Sequence, residues 1–299
     1  MSMSSQEFLQ HIANGTSLGS LYALIAIGYT MVYGILRLIN FAHGDIFMLG
    51  VYLTYYGILY TSMPWYVVFI LASVLTGLLG VGLERLAYKP LRGSPRITIL
   101  ISAIGASFLL QNLGVLVFGG RPKAFPIPDV FNKIINIGGV SVGIVNFIIP
   151  IVTIVLLIVL NLFIKQTRTG MAMRALSKDY EAASLMGIDI NGVVSITFFI
   201  GSFLAAVGGI MWGIKYPQLM PLMGVLPGLK CFIAAVIGGI GNITGAVLGG
   251  FILGLGEILL IAFLPQLTGY RDAFAFVVLI IILLIKPTGL MGEKTAEKV

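Results

Sequence analysis

Continuous apolar runs of about twenty residues recur along this chain, and they leave few folds open. Thr16–Leu36, Ile39–Tyr60, Pro64–Leu86, Ile97–Phe118, Ser141–Ile164 and Gly192–Ile214 each approach the length a helix needs to cross hydrocarbon. The runs are unbroken rather than alternating, which favours helices over barrel strands. Charged residues make up 10% of the 299 positions and hydrophobic ones 58%, whereas a soluble domain carries about a quarter charged. The expected architecture is all-α, a polytopic transmembrane helix bundle forming one unit over residues 1–299.

After Gly228 the pattern changes. Leu229–Leu264 is too long for one span and short for two, and it is interrupted by GGIGNITG (Gly238–Gly245) and then by Gly249 and Gly250. Asp272–Ile285 is a further short run. Three short passes, some tilted or broken, fit best. The bundle is thus expected to hold about eight or nine spans with a broken glycine-rich helix near the C-terminus.

The net charge of +7 reads as topology rather than as a nucleic-acid surface, because the basic residues sit at span ends. Arg85, Lys89, Arg92 and Arg96 follow the third span; Lys165, Arg168, Arg174 and Lys178 follow the fifth; Lys286, Lys294 and Lys298 follow the last. By the positive-inside rule these are cytoplasmic, which places the N-terminus outside and the C-terminus inside. The outer loop with Arg121, Lys123 and Lys133 is a modest exception, and its stretch RPKAFPIPDVF suits either a rigid connection or a surface for a partner. The N-terminal segment lacks the marks of a cleaved signal, so the first run is expected to remain a span. Cys231 lies in an apolar run and reads as a small hydrophobe.

The most polar internal stretch, RALSKDYEAASLMGID (Arg174–Asp189), falls within the cytoplasmic loop 165–190. It reads as helix, with Asp179 capping a turn through EAASLM and Gly187 as the stop. Leu176, Tyr180, Ala183 and Gly187 share a narrow face. Such a segment either lies on the membrane surface or seats in a groove of a soluble partner.

Few polar groups fall within the runs. NFAHGD brings Asn40, His43 and Asp45 to the start of the second, where they cap a helix at the interface or line a pathway or gate. Gln111, Asn112 and Glu257 fit interhelical hydrogen bonds, and Asn112 is also a pathway candidate. GGIGNITG is no phosphate-binding loop, since G-x-x-x-x-G-K-[ST] is absent. A break between half-helices would make Gly238, Gly239, Gly241, Asn242 and Gly245 pathway candidates. No cluster of His, Cys and carboxylates suggests an enzyme or a metal site.

EAASLMG resembles the EAA-then-three-then-Gly pattern of the coupling loop in ABC importer permeases, although the longer form's ending is missing around Thr197–Gly201. NGTSLGSLYALIAIGYTMVYGILRLINFAHGDIFMLGVYL (Asn14–Leu53), AAVIGGIGNITGAVLGGFILGLGE (Ala234–Glu257) and LIIILLIKPTGLMG (Leu279–Gly292) resemble, in order, the branched-chain amino-acid permeases, in particular the shorter of their two types. The resemblance implies an ATP-driven importer of the bacterial inner membrane for Leu, Ile or Val. Its other parts would be a second homologous permease, two cytoplasmic ATPase subunits that hold ATP and Mg, and an extracytoplasmic substrate-binding protein. This chain would carry no cofactor and would contact membrane lipid. The resemblance makes Arg174, Asp179, Glu181, Ala182, Ala183 and Gly187 the ATPase-coupling residues. Similar permeases carry urea or short amides. A different class, an ion-coupled secondary transporter, would use Asp45 or Glu257 as coupling acids and would show inverted repeats. The echo of INFAHG (39–44) in IGNITG (240–245) is too weak to establish one.

Overall fold

The computed structural model describes residues 4–137 and 140–292. Within them the chain forms eleven α-helices joined by short irregular segments. They are α1 (Ser5–Leu36), α2 (His43–Tyr60), α3 (Trp65–Leu83), α4 (Arg96–Phe118), α5 (Val145–Gln166), α6 (Arg168–Lys178), α7 (Tyr180–Leu185), α8 (Ile190–Lys215), α9 (Val225–Gly238), α10 (Ile243–Phe263) and α11 (Arg271–Ile285). Seven of the described helical stretches are long and apolar enough to span a membrane: α1, α3, α4, α5, α8, α10 and α11, with α3 and α11 counted together with the short helical turns beside them. The other two bundle helices, α2 and α9, are 18 and 14 residues long. Three helices, α9, α10 and α11, therefore follow α8. Lys294 and Lys298 lie outside the described residues.

Local chemistry explains many of the ends. Ser4 opens α1 with a capping box: its hydroxyl accepts from Glu7 N at 3.2 Å and its own N–H donates to Glu7 Oε2 at 2.8 Å. Ser20, Thr76 and Thr197, buried inside the spans, back-bond their own helices, to Thr16 O (2.8 Å), Ala72 O (2.7 Å) and Val193 O (2.8 Å) respectively. Each hydroxyl is thereby satisfied without water, which a lipid setting requires.

The core is α1, packed against α10, α8, α5 and α9. Small residues set the spacing. A Cβ on Gly19, Gly250 or Gly254 would strike the backbone of the facing helix. The pairs Gly19–Gly254 and Ala23–Gly250 show that α1 and α10 run antiparallel. Close approach of backbones is the usual way helices bind tightly in lipid, where apolar side chains gain nothing over acyl chains.

Two helices begin part-way through the bundle. After α1 the chain turns at Arg37, whose φ of 52° is left-handed, and climbs back so that α2 starts beside the middle of α1. His43 Nε2 lies 3.2 Å from Ile25 O, about three turns in from the end of α1. After α8 the chain does the same from the opposite end: Gln218–Leu219 pairs antiparallel with Lys123–Ala124, and α9 then starts beside Gly44. Since α1 and α8 are antiparallel, with Gly28 against Gly201 and Ile25 against Gly208, α1–α2–α3 and α8–α9–α10 are two copies of one motif in opposite orientation. α1 packs along α10 as α8 packs along α3, and α4 and α11 add to α2 and α9 respectively. The inverted partner of the INFAHG segment is thus the stretch leading into α9, and IGNITG is not its counterpart.

Candidate functional site

The two part-way helix starts meet at a cavity of ≈140 Å³ lined by Tyr29, Phe41, Gly44, Asp45, Ser107, Gln111, Gly224, Val225, Gly228, Leu229 and Phe232. Asp45 sits in the first turn of α2, where no side chain caps the helix and the dipole favours an anion. Ser107 Oγ donates to Asp45 Oδ2 at 2.5 Å, and Gln111 Nε2 donates to Ser107 Oγ at 3.0 Å. Ser107 and Gln111 lie one turn apart on α4, so a single face of that helix supplies the whole chain of donors. Asp45 is 2% exposed and has no ion-pair partner among the described residues. Aromatic rings close the rest: Phe232 lies 6.0 Å from Tyr29 and 6.3 Å from Phe41, centroid to centroid.

Asn40 and His43 are buried beside this cavity rather than at a membrane surface. Asn40 Oδ1 accepts from Tyr88 Oη at 2.7 Å, and the His43 ring packs 4.4 Å from Tyr29. The interface-cap reading of NFAHGD therefore gives way to an interior location, because the chain re-enters the bundle before α2 begins. Asn112 does not join them. It is exposed on α4 and donates to Phe108 O of its own helix at 2.7 Å, while its neighbour Gln111 faces the cavity. The residues missed by the sequence reading are Ser107, Phe41 and Phe232; the one-turn spacing of Ser107 and Gln111 is the signal that could have found the first.

The glycine-rich stretch is a turn between packed antiparallel helices, not a gap between half-helices in line. Gly238 and Gly245 face each other so closely that a Cβ on either would meet the other's carbonyl. Asn242 caps α10, accepting from Gly245 N at 3.0 Å, and its amide donates to Met291 O at 3.0 Å. Gly239 and Gly241 hold φ of 106° and 96°, the positive values such a turn demands. The turn lies at the α6–α7 end of the bundle: a second cavity of ≈120 Å³ is lined by Gly34, Met173, Arg174, Ser177, Gly241 and Ile243 among others. Arg174 and Gly241, expected in two separate sites, thus share one.

At that end α6 and α7 form two short helices. Asp179 caps α7, accepting from Glu181 N (3.1 Å) and Ala182 N (3.0 Å). Gly187 ends the turn with φ of 78°, its N–H donating to Ser184 O at 3.0 Å, while Ile188 N donates to Ala183 O at 3.2 Å. Leu176 and Ala183 point into the bundle with Val32, Val194 and Phe198, whereas Tyr180, Leu185 and Met186 are exposed, the last two above 80%. Glu181 and Ala182 are also exposed. The apolar surface offered outward is therefore Tyr180–Leu185–Met186 rather than the predicted stripe.

A buried charge cluster ties α9, α10 and α11. Glu257, fully buried, accepts from Lys230 Nζ (2.9 Å), Arg271 Nε (2.7 Å) and Tyr22 Oη (3.1 Å), and Lys230 also meets Asp272 at 2.7 Å. At the opposite end of the bundle from α6, Lys123 Nζ donates to Tyr56 Oη at 2.6 Å and lies over the Tyr55 and Tyr56 rings. That hydroxyl holds the ammonium above the usual lysine range. With Phe125 and Phe131 buried beneath it, the proline-rich loop is a packed connection.

A core of antiparallel spans, with an inverted pair of re-entrant helices meeting at a buried cavity, defines a multi-pass membrane protein. The chain belongs to the family described as branched-chain amino acid transport system / permease component, whose model matches residues 11–283. It is 44% identical over 305 residues to the high-affinity branched-chain amino acid transport system permease protein LivH of Escherichia coli (strain K12), covering 98% of each chain. It is 42% identical over 306 residues to the corresponding permease protein BraD of Pseudomonas aeruginosa, again covering 98% of each. A chain of the solved PsaBC complex of Streptococcus pneumoniae with a Fab superposes with a TM-score of 0.50 at 13% identity, covering 94% of this chain and 92% of that one. At that identity the likeness concerns the fold alone.

Proposed function

We propose that this chain is one membrane half of an ATP-driven importer for branched-chain amino acids. The observation that carries the proposal is the 44% identity, over 98% of both chains, to a permease named for that transport. The chain performs no catalysis. A second, homologous permease completes the pathway, two ATPase subunits bind ATP and Mg, and an extracytoplasmic binding protein delivers the solute. The α6–α7 end is cytoplasmic, in keeping with Arg92, Lys165, Arg168, Arg174 and Lys286 gathering there, and the membrane is the bacterial inner membrane. Tyr180, Leu185 and Met186 then face the ATPase, with Asp179 and Gly187 fixing the helix that presents them. Movement of α6 and α7 reaches α1, α8 and the Gly239–Asn242 turn directly, because Met173, Leu176, Ala183 and Arg174 pack on those elements.

The test is uptake of labelled leucine and labelled urea in cells that lack this chain and regain it from a plasmid, with the other subunits intact. Restored leucine uptake that collapses on ATP depletion supports the reading. Restored urea uptake without leucine transfers the chain to an amide permease, and leucine uptake that follows an ion gradient instead of ATP removes it from this class.

A further inference from the structure

We propose that the cavity at the meeting of α2 and α9 is a transit site for the charged amine of the solute, with Asp45 as the group that receives it. The inference rests on the importer reading above and adds to it the chemistry of passage. Asp45 is the sole charged residue among those that line the cavity, and it is 98% shielded in the middle of a membrane bundle. A lone carboxylate at that depth is costly, and the structure gives it hydroxyl and amide donors but no cation. Compare Glu257 and Glu84, the other fully buried carboxylates among the described residues: Glu257 is paired with Lys230 and Arg271, and Glu84 with Arg92. Asp45 differs from both in facing open volume.

The cavity is polar at one corner and apolar elsewhere. Asp45, Ser107 and Gln111 form the polar corner; Phe41, Val225, Leu229 and Phe232 supply a wall for an aliphatic side chain. Aromatic faces beside a carboxylate add to the attraction for an ammonium group. The start of α9 at Gly224–Val225 has no side-chain cap, so its positive end is directed toward the same space and suits a carboxylate. The cavity thus presents a negative corner, a positive helix end and an apolar wall, which matches a zwitterionic aliphatic amino acid and mismatches a neutral amide such as urea. Charge complementarity at this point would let the solute pass mid-membrane without shedding both ionic partners.

The test uses the assembled importer in proteoliposomes, with this chain carrying Asp45→Asn, which keeps shape and hydrogen-bonding capacity but removes the charge. A diazirine analogue of leucine, photo-leucine, serves as the direct probe. The wild-type complex is expected to crosslink photo-leucine within Phe41–Asp45 or Val225–Phe232. Asp45→Asn is expected to lose that crosslink and to lower leucine uptake by about tenfold or more, the scale of one charge-assisted hydrogen bond. Asp45→Glu is expected to recover part of both. Co-purification of the subunits with each variant shows that the complex still forms. Asp45→Asn that assembles and keeps wild-type uptake and crosslinking overturns the site, as does photo-leucine mapping to other segments in the wild type. A wild-type complex that imports no leucine at all instead overturns the importer reading, so the two failures are separate.

Discussion

The α-carbon of Gly44 faces the carbonyl oxygen of Gly224, and the α-carbon of Gly224 faces the carbonyl oxygen of Gly44. The contact is reciprocal because the two residues occupy equivalent places in the inverted motifs. A Cβ on either would run into the other's backbone, and backbone cannot step aside as a flexible side chain can. Gly224→Ala is therefore expected to lower stability by about 1–3 kcal/mol, the usual scale of overpacking. The thermal unfolding midpoint of the purified chain in detergent checks this, and an unchanged midpoint would show that α2 and α9 slide apart at no cost.

Glu257, itself fully buried, holds two cations. Glu257→Gln leaves Lys230 buried with Asp272 as its remaining partner and is expected to cost about 3 kcal/mol or more. Replacing the pair together, Lys230→Met with Glu257→Gln, removes one of the two cations that Glu257→Gln strips of its carboxylate and is expected to lose less than the sum of the two single changes. Denaturation of the four proteins side by side reads the coupling. Strict additivity would mean that the cluster does not act as a unit.

Asp179 supplies both of its cap bonds to a helix of only six residues, far too short to persist alone. Asp179→Ala is expected to destabilise α7 by about 1 kcal/mol. On the proposed coupling role, the expected consequence is more ATP hydrolysed per leucine imported, because the surface proposed to meet the ATPase is no longer held. Asp179→Asn, which caps nearly as well, should restore the ratio. Equal ratios in all three proteins would remove α7 from the coupling path.

Gly187 has open space around it but a left-handed backbone. Gly187→Val is therefore expected to fail through strain of about 1–2 kcal/mol, while Gly187→Asn, a residue that tolerates this conformation, should be accepted. ATPase retained on the affinity-captured permease is the readout. A valine variant that captures as much ATPase as wild type would contradict the assignment.

The apolar runs made the bundle legible, since hydrocarbon thickness dictates helix length and little else does. The cap at Asp179 and the stop at Gly187 were legible too, because both depend on residues within one turn. Depth was not. A helix that starts mid-membrane, as α2 does at His43, has the same composition as one that starts at the surface, and nothing local to NFAHGD records that the chain has turned back at Arg37. The glycine turn failed for a related reason: GGIGNITG looks alike in a broken span and in a tight hairpin, and the packing of Gly238 on Gly245 decides between them. Helical phase separated Gln111 from Asn112, a matter of one residue. Lys230 was hidden because its partners, Glu257, Asp272 and Tyr22, come from three other helices.

The burial of α1 has a bearing on how the protein is made. Its most apolar stretch is 89% buried, against 6% for the last span. Yet α1 is translated first, while α10, which covers its glycine face, begins at Ile243. At ordinary rates of synthesis the roughly 200 residues between them take about 10–40 s to emerge. During that interval α2, α5, α6, α8 and α9 arrive one after another, but Gly19 and Ala23 lack their close neighbours on α10 until the interval ends. The nascent helix must wait in lipid or beside the insertion machinery with those small residues uncovered. Biogenesis of this chain is thus governed by its first helix, whose residence in the membrane begins long before its packing can be completed.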